Sequence, residues 1–115
     1  MAVAVHSFGT VTPTVGTTAT FTSFTSAGVY QLIIDTGSMK QQTSGTADET
    51  TVFIYTKVGT AGATSKLAYS ASWWGAQSTP IKISIPVIGA LEMDARILQS
   101  AGSAASYEWA IYELS

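Results

Sequence analysis

Pro80-Ile81-Lys82-Ile83-Ser84-Ile85-Pro86-Val87, followed after three intervening residues by Leu91-Glu92-Met93-Asp94-Ala95-Arg96-Ile97-Leu98-Gln99, decides the fold. In the first stretch Ile81, Ile83, Ile85 and Val87 alternate with Lys82 and Ser84. In the second, Leu91, Met93, Ala95 and Ile97 alternate with Glu92, Asp94 and Arg96. A period of two is the pattern of an extended chain with one apolar and one wet face, which predicts two half-buried antiparallel strands. On this reading Ile81, Ile83, Ile85, Leu91, Met93 and Ile97 belong to the core.

The same period recurs outward from that centre. Gly28–Asp35 sets Tyr30, Leu32 and Ile34 on one face and Val29, Gln31 and Ile33 on the other. Residues 50–58 set Val52, Ile54 and Val58 against Phe53, Tyr55 and Lys57. Residues 66–72 carry Leu67, Tyr69 and Ala71 on one side, and 106–114 form a strand rich in Tyr and Trp, residues that favour sheets. Residues 19–25 alternate Phe21 with threonines, and residues 1–8 read as an N-terminal arm or edge strand ahead of a single domain over 9–115. No window of eleven or more residues sustains helical apolar spacing. Between the strands lie Thr36-Gly37-Ser38, Ser44-Gly45-Thr46, residues 59–62, Gly75 and residues 100–103, all with turn chemistry. Seven to eight short strands with such breaks predict an all-β, antiparallel β-sandwich of jelly-roll type. The longest break, Thr36 to Glu49, is expected to be a functional loop or a crossing between sheets.

Composition narrows the function. The 115 residues suffice for one domain. Only 10% are Asp, Glu, Lys or Arg, although 46% are hydrophobic; an ordinary soluble domain carries about 25% charged residues. A surface so poor in charge resists self-association weakly, as suits a protein covered by other subunits. The net charge is −2, and Lys40, Lys57, Lys66, Lys82 and Arg96 are scattered, so nucleic acid is not an expected partner. No apolar run has the roughly 18 residues that would span a bilayer, so no membrane role is expected, and Met1–Phe8 does not have the form of a secretory signal. The chain lacks cysteine, hence disulfides and thiolate chemistry.

Catalysis finds little to work with. His6 is the sole histidine, and the G-x-S-x-G elbow of a serine hydrolase is missing. Asp48-Glu49 is a loop pair. Glu92 and Asp94 project from one strand face, as glycosidase acids could, but Arg96 shares that face and offsets them. No calcium-loop motif occurs. The expectation is a protein that is not an enzyme and uses no cofactor or metal.

Aromatic residues carry more information. Trp73 and Trp74 are neighbours, so in a strand they face opposite ways, and Trp109 and Tyr112 likewise cannot share a face. Exposed Trp and Tyr build subunit interfaces and sugar platforms. The candidate interface residues are therefore Trp73, Trp74, Trp109 and Tyr112, together with Val3, Val5 and Phe8 of the N-terminal segment.

One succession of segments is familiar. Tyr30-Gln31-Leu32-Ile33-Ile34-Asp35 is followed by Val52-Phe53-Ile54-Tyr55-Thr56-Lys57-Val58, Leu67-Ala68-Tyr69, Gly75-Ala76-Gln77-Ser78-Thr79-Pro80-Ile81-Lys82-Ile83-Ser84 and Glu108-Trp109-Ala110-Ile111-Tyr112-Glu113-Leu114. This order resembles small structural proteins of tailed bacteriophages and prophages, including jelly-roll-like decoration (cement) proteins that bind the outside of the capsid. The resemblance spans about three-quarters of the chain and carries over no individual functional residue. It implies a virion component made in the host cytoplasm, with the major capsid protein or other virion subunits as partners. It also implies a homo-oligomer, a trimer being one form. The alternative is a tail or fibre component that binds carbohydrate, with Trp73 or Trp74 stacking on a sugar.

Overall fold

The computed structural model describes residues 2–41, 45–59 and 64–115. Among these the chain forms nine strands: β1 (Val3–Val11), β2 (Ala19–Phe24), β3 (Gly28–Asp35), β4 (Glu49–Thr56), β5 (Lys66–Trp74), β6 (Ile81–Ile83), β7 (Val87–Gly89), β8 (Met93–Ala101) and β9 (Tyr107–Leu114). All pairings are antiparallel. Sheet 1 has the order β1-β9-β3-β6, with β7 also on β3, and sheet 2 the order β2-β8-β4-β5. The two pack face to face as a β-sandwich. The segment after Thr36 carries the chain from sheet 1 to sheet 2. The turn expected at Ser44 and most of that at 59–62 lie outside the described residues, as does Met1.

The core is the pair of inner faces. Tyr30, Leu32, Ile34, Tyr107 and Ile111 of sheet 1 meet Val52, Ile54, Met93, Ala95 and Ile97 of sheet 2, all buried. Each large side chain removed from water in this way contributes roughly 1.5 to 3 kcal/mol. The alternation read from β8 puts Met93, Ala95 and Ile97 inward as expected; in β3 and β4 the buried face is that of Tyr30, Leu32 and Ile34 and of Val52 and Ile54, while Val58, beyond the end of β4, is exposed.

The opening stretch of sequence needs a correction. Residues 80–87 form two strands, not one, and Ile81, Ile83 and Ile85 are outside the core, 49%, 58% and 56% exposed. Ile33 faces Ile83, and Tyr30 faces Val87. Between them the Ser84 amide donates to the Leu32 carbonyl, while the Leu32 amide donates to Ser84 Oγ, not to a carbonyl. Two residues, Ile85 and Pro86, then stand opposite Gln31 alone. This is a bulge, and it reverses the phase, so Ser84 and Val87 are buried while the isoleucines face out. Leu91 is only half-buried, in the turn before β8. A similar break at Ala68 leaves Leu67 exposed, although Tyr69 and Ala71 pack inward.

Candidate interaction surface

The residues that the core rejects gather on the outward face of sheet 1. Strand register sets them in rows, because directly paired residues share a face. Phe8, Ala110, Ile33 and Ile83 form one row across four strands. Val3, Leu114, Val29 and Ile88 form another. Val5, Tyr112 and Gln31 lie between, and the Gln31 side-chain amide is tied to the Ser84 carbonyl at 2.8 Å, beside exposed Ile85. Four strands about 4.8 Å apart and three rows about 6.6 Å apart give a projected patch of order 400 Å². That is the size of the largest apolar patch on a typical soluble monomer, and such patches are often functional. Phe8 is the most open of its side chains, 77% exposed.

One end of this face is acidic. Asp35 and Glu108, with Ile33, Ile81, Trp109 and Ala110, line a shallow depression of about 200 Å³. The Lys82 side chain instead turns toward the inner rim, its ammonium 6.0 Å from the centre of the Trp73 ring, so it offers no charge to the outward face.

The seven sequence candidates therefore separate. Val3, Val5, Phe8 and Tyr112 share the outward face of sheet 1. Trp73 packs against the core and Trp74 is 65% exposed at the end of β5, opposite Glu49. Trp109 turns inward, its ring 5.4 Å from that of Phe21 and lying over Gly9, where a Cβ would come within 3.3 Å. Sequence reasoning missed Val29, Ile33, Ile81, Ile83, Ile88 and Leu114. The available signal was the run Val29-Tyr30-Gln31-Leu32-Ile33-Ile34, which is apolar on both parities and so reads as a strand covered on both faces.

The polar groups considered for catalysis are engaged elsewhere. His6 is the extra residue of a bulge in β1, stacked on Phe24 at 3.9 Å and edge-on to Tyr30. Asp94 takes a two-pronged contact from Arg96, which raises the Arg96 pKa, mainly through that hydrogen bond. Glu92 bonds the Ser65 hydroxyl and pairs with Lys57 at 3.6 Å. Buried Asp48 accepts the amides of Lys40 and Ser103 and so clasps two loops. Next to it, Gly102 has a φ of +89° and an added Cβ would collide with Asp48 Oδ1, so this turn requires glycine. Buried Gln99 donates to the Ala101 and Ser103 carbonyls and accepts from the Ala105 amide and the Tyr107 hydroxyl. The Thr50 hydroxyl lies 2.6 Å from that of Tyr107. Burial pushes the Tyr107 pKa up, ahead of the smaller opposing effect of Thr50. These bonds brace the sandwich end. Among the described residues no group of three or more His, Asp or Glu could hold a metal ion, and no helix is long and apolar enough to cross a membrane.

No protein-family model, curated protein or solved structure matches the chain.

Proposed function

We propose that this chain is a structural subunit of a bacteriophage virion, a capsid decoration protein, that docks through the outward face of sheet 1. The observation that carries the proposal is the apolar face itself: three rows of side chains with no cation among them and charge only at the Asp35–Glu108 end. Low overall charge and the resemblance in strand order and sequence support the same reading.

Topology supports the jelly-roll assignment. With β6 and β7 taken as one interrupted strand, eight strands pair as first with eighth, second with seventh, third with sixth and fourth with fifth. Such nested pairing is one long antiparallel ribbon folded over on itself, the jelly roll used by viral capsid and lectin domains. A subunit that binds only the assembled lattice stabilises it by mass action, more strongly as its concentration rises above the Kd.

The test is to mix labelled full-length protein with undecorated heads and count bound copies after sedimentation. Saturable binding is expected. Exposed Trp74 favours the carbohydrate-binding alternative, and it sets the opposing outcome: no binding to heads, with retention on a glycan array that Trp74→Ala abolishes.

A further inference from the structure

A sheet edge exposes unpaired backbone groups, and proteins usually protect such edges with charge, proline or shortness. Three of the four edges here are protected. Strand β6 has three residues, carries Lys82 and lies between Pro80 and Pro86. Strand β5 begins at Lys66 and bulges at Ala68. Strand β2 has six residues, broken around Phe21. Strand β1 is different. It has nine residues, no proline, lysine, arginine or carboxylate, and an unbroken segment from Ser7 to Val11 after the His6 bulge.

The phase of its hydrogen bonds is fixed. Ala2 and Ser115 exchange amide-to-carbonyl bonds at 2.9 and 3.0 Å, so the odd-numbered residues of β9 bond β1 and the even-numbered ones bond β3. The bond from the Ser84 amide to Leu32, on the far side of β3, agrees with that alternation. Phe8 and Thr10, paired with Ala110 and Glu108, therefore aim their N–H and C=O groups away from β9 into the open.

We infer that β1 is a dimerisation edge, onto which a second copy of this chain adds its own β1 antiparallel, with Phe8 opposite Thr10 of the second copy and the two-fold axis at Gly9. In this register the free groups of Phe8 and Thr10 meet their counterparts in phase. Gly9 faces Gly9 at the closely spaced non-bonded position, where Cα atoms approach to about 4.5 Å, and brings no side chain to collide. Setting Phe8 against Phe8 would force Thr10 onto the His6 bulge, and a shift the other way runs past the strand end at Val11. No like charges oppose one another, and the two apolar faces of sheet 1 join into one eight-stranded surface. The inference holds whatever that surface binds.

The absence of native cysteine makes the register directly testable. Phe8→Cys and Thr10→Cys chains, one carrying a size tag, are mixed under mild oxidant with each alone as control. A mixed disulfide well in excess of either self-disulfide is expected. Light scattering should give twice the mass of one chain for the unaltered protein and one chain mass for Thr10→Pro, since proline removes only an N–H that β9 does not use. A monomeric unaltered protein, or equal cross-linking in mixture and controls, overturns the inference. So does a dimer that survives in folded Thr10→Pro. If Thr10→Pro does not fold, the cysteine pair alone decides.

Discussion

The two outward faces of this sandwich are built on sheets of similar size but differ in chemistry. On sheet 2 the exposed side of β4 and β8 carries Glu49, Thr51, Asp94 and Arg96, and that of β5 carries Ser70 and Ser72. Two of its aromatic residues, Phe53 and Tyr55, stack on each other, and the Arg96 guanidinium lies 5.1 Å from the centre of the Tyr55 ring. Trp74, Leu67 and Leu98 share this face, but each stands opposite or beside its polar residues. On sheet 1 the equivalent positions hold Val3, Val5, Phe8, Ile33, Ile83 and Ile88. A face that meets only water gains nothing from such residues, and this asymmetry is why the proposed docking is assigned to sheet 1.

The largest expected effect separates the two sides of sheet 1. Ile111 is fully buried and Ile83 is 58% exposed. Ile111→Ala should cost about 2 to 5 kcal/mol in chemical denaturation, whereas Ile83→Ala should stay within about 1 kcal/mol because most of its surface already meets water. Equal losses would mean that sheet 1 is covered on both faces within the monomer.

Next comes the braced end of the sandwich. Tyr107→Phe removes the contacts to Thr50 and Gln99 and should cost about 1 to 3 kcal/mol. Its raised pKa adds a pH dependence. In the unfolded chain the phenol ionises near the usual value of about 10, while the folded protein holds it protonated above that. Stability is therefore retained below about pH 10 and falls as pH rises through the higher folded-state value. A thermal melt series should show this decline, shallower in Tyr107→Phe. Tyr30, raised mainly by burial with a smaller effect of Glu113, leaves a residual slope.

The smallest expected effect is at the bulge of β1. The Ser7 hydroxyl is buried with no hydrogen-bond partner among the described residues, and Ser7→Ala should be neutral or stabilising by up to about 1 kcal/mol in the same denaturation assay. A marked loss would show that the hydroxyl is bonded in solution.

The strands were largely legible from the sequence because their period is two; for β8 the inward face followed from it, while for β3 and β4 the period separated two faces without choosing between them. Which face is inward was not legible where both are apolar. Residues 81–87 alternate well, yet the bulge at Ile85–Pro86 shifts the phase between Ile83 and Val87, and it is accompanied by a bond from the Leu32 amide to the Ser84 hydroxyl that no local pattern announces. Trp73 and Trp74 separate as neighbours in a strand must. Gln99 follows Met93, Ala95 and Ile97 in phase and is a polar residue in the interior, where the Ala101 and Ser103 carbonyls, the Ala105 amide and the Tyr107 hydroxyl satisfy its side-chain amide. The outward apolar face of sheet 1 was glimpsed through Val3, Val5, Phe8 and Tyr112. Its other half depends on register between strands distant in sequence.

The central claim is that the outward face of sheet 1, and not that of sheet 2, meets the partner. The direct measurement compares copies bound per undecorated head for Ile83→Glu and for Ser70→Glu, each first shown to be folded. A carboxylate buried in an apolar contact should weaken binding by about 2 kcal/mol or more, over tenfold in Kd. Ile83→Glu is therefore expected to lose most bound copies while Ser70→Glu binds like the unaltered chain. Undiminished binding of Ile83→Glu, or loss confined to Ser70→Glu, would contradict the account.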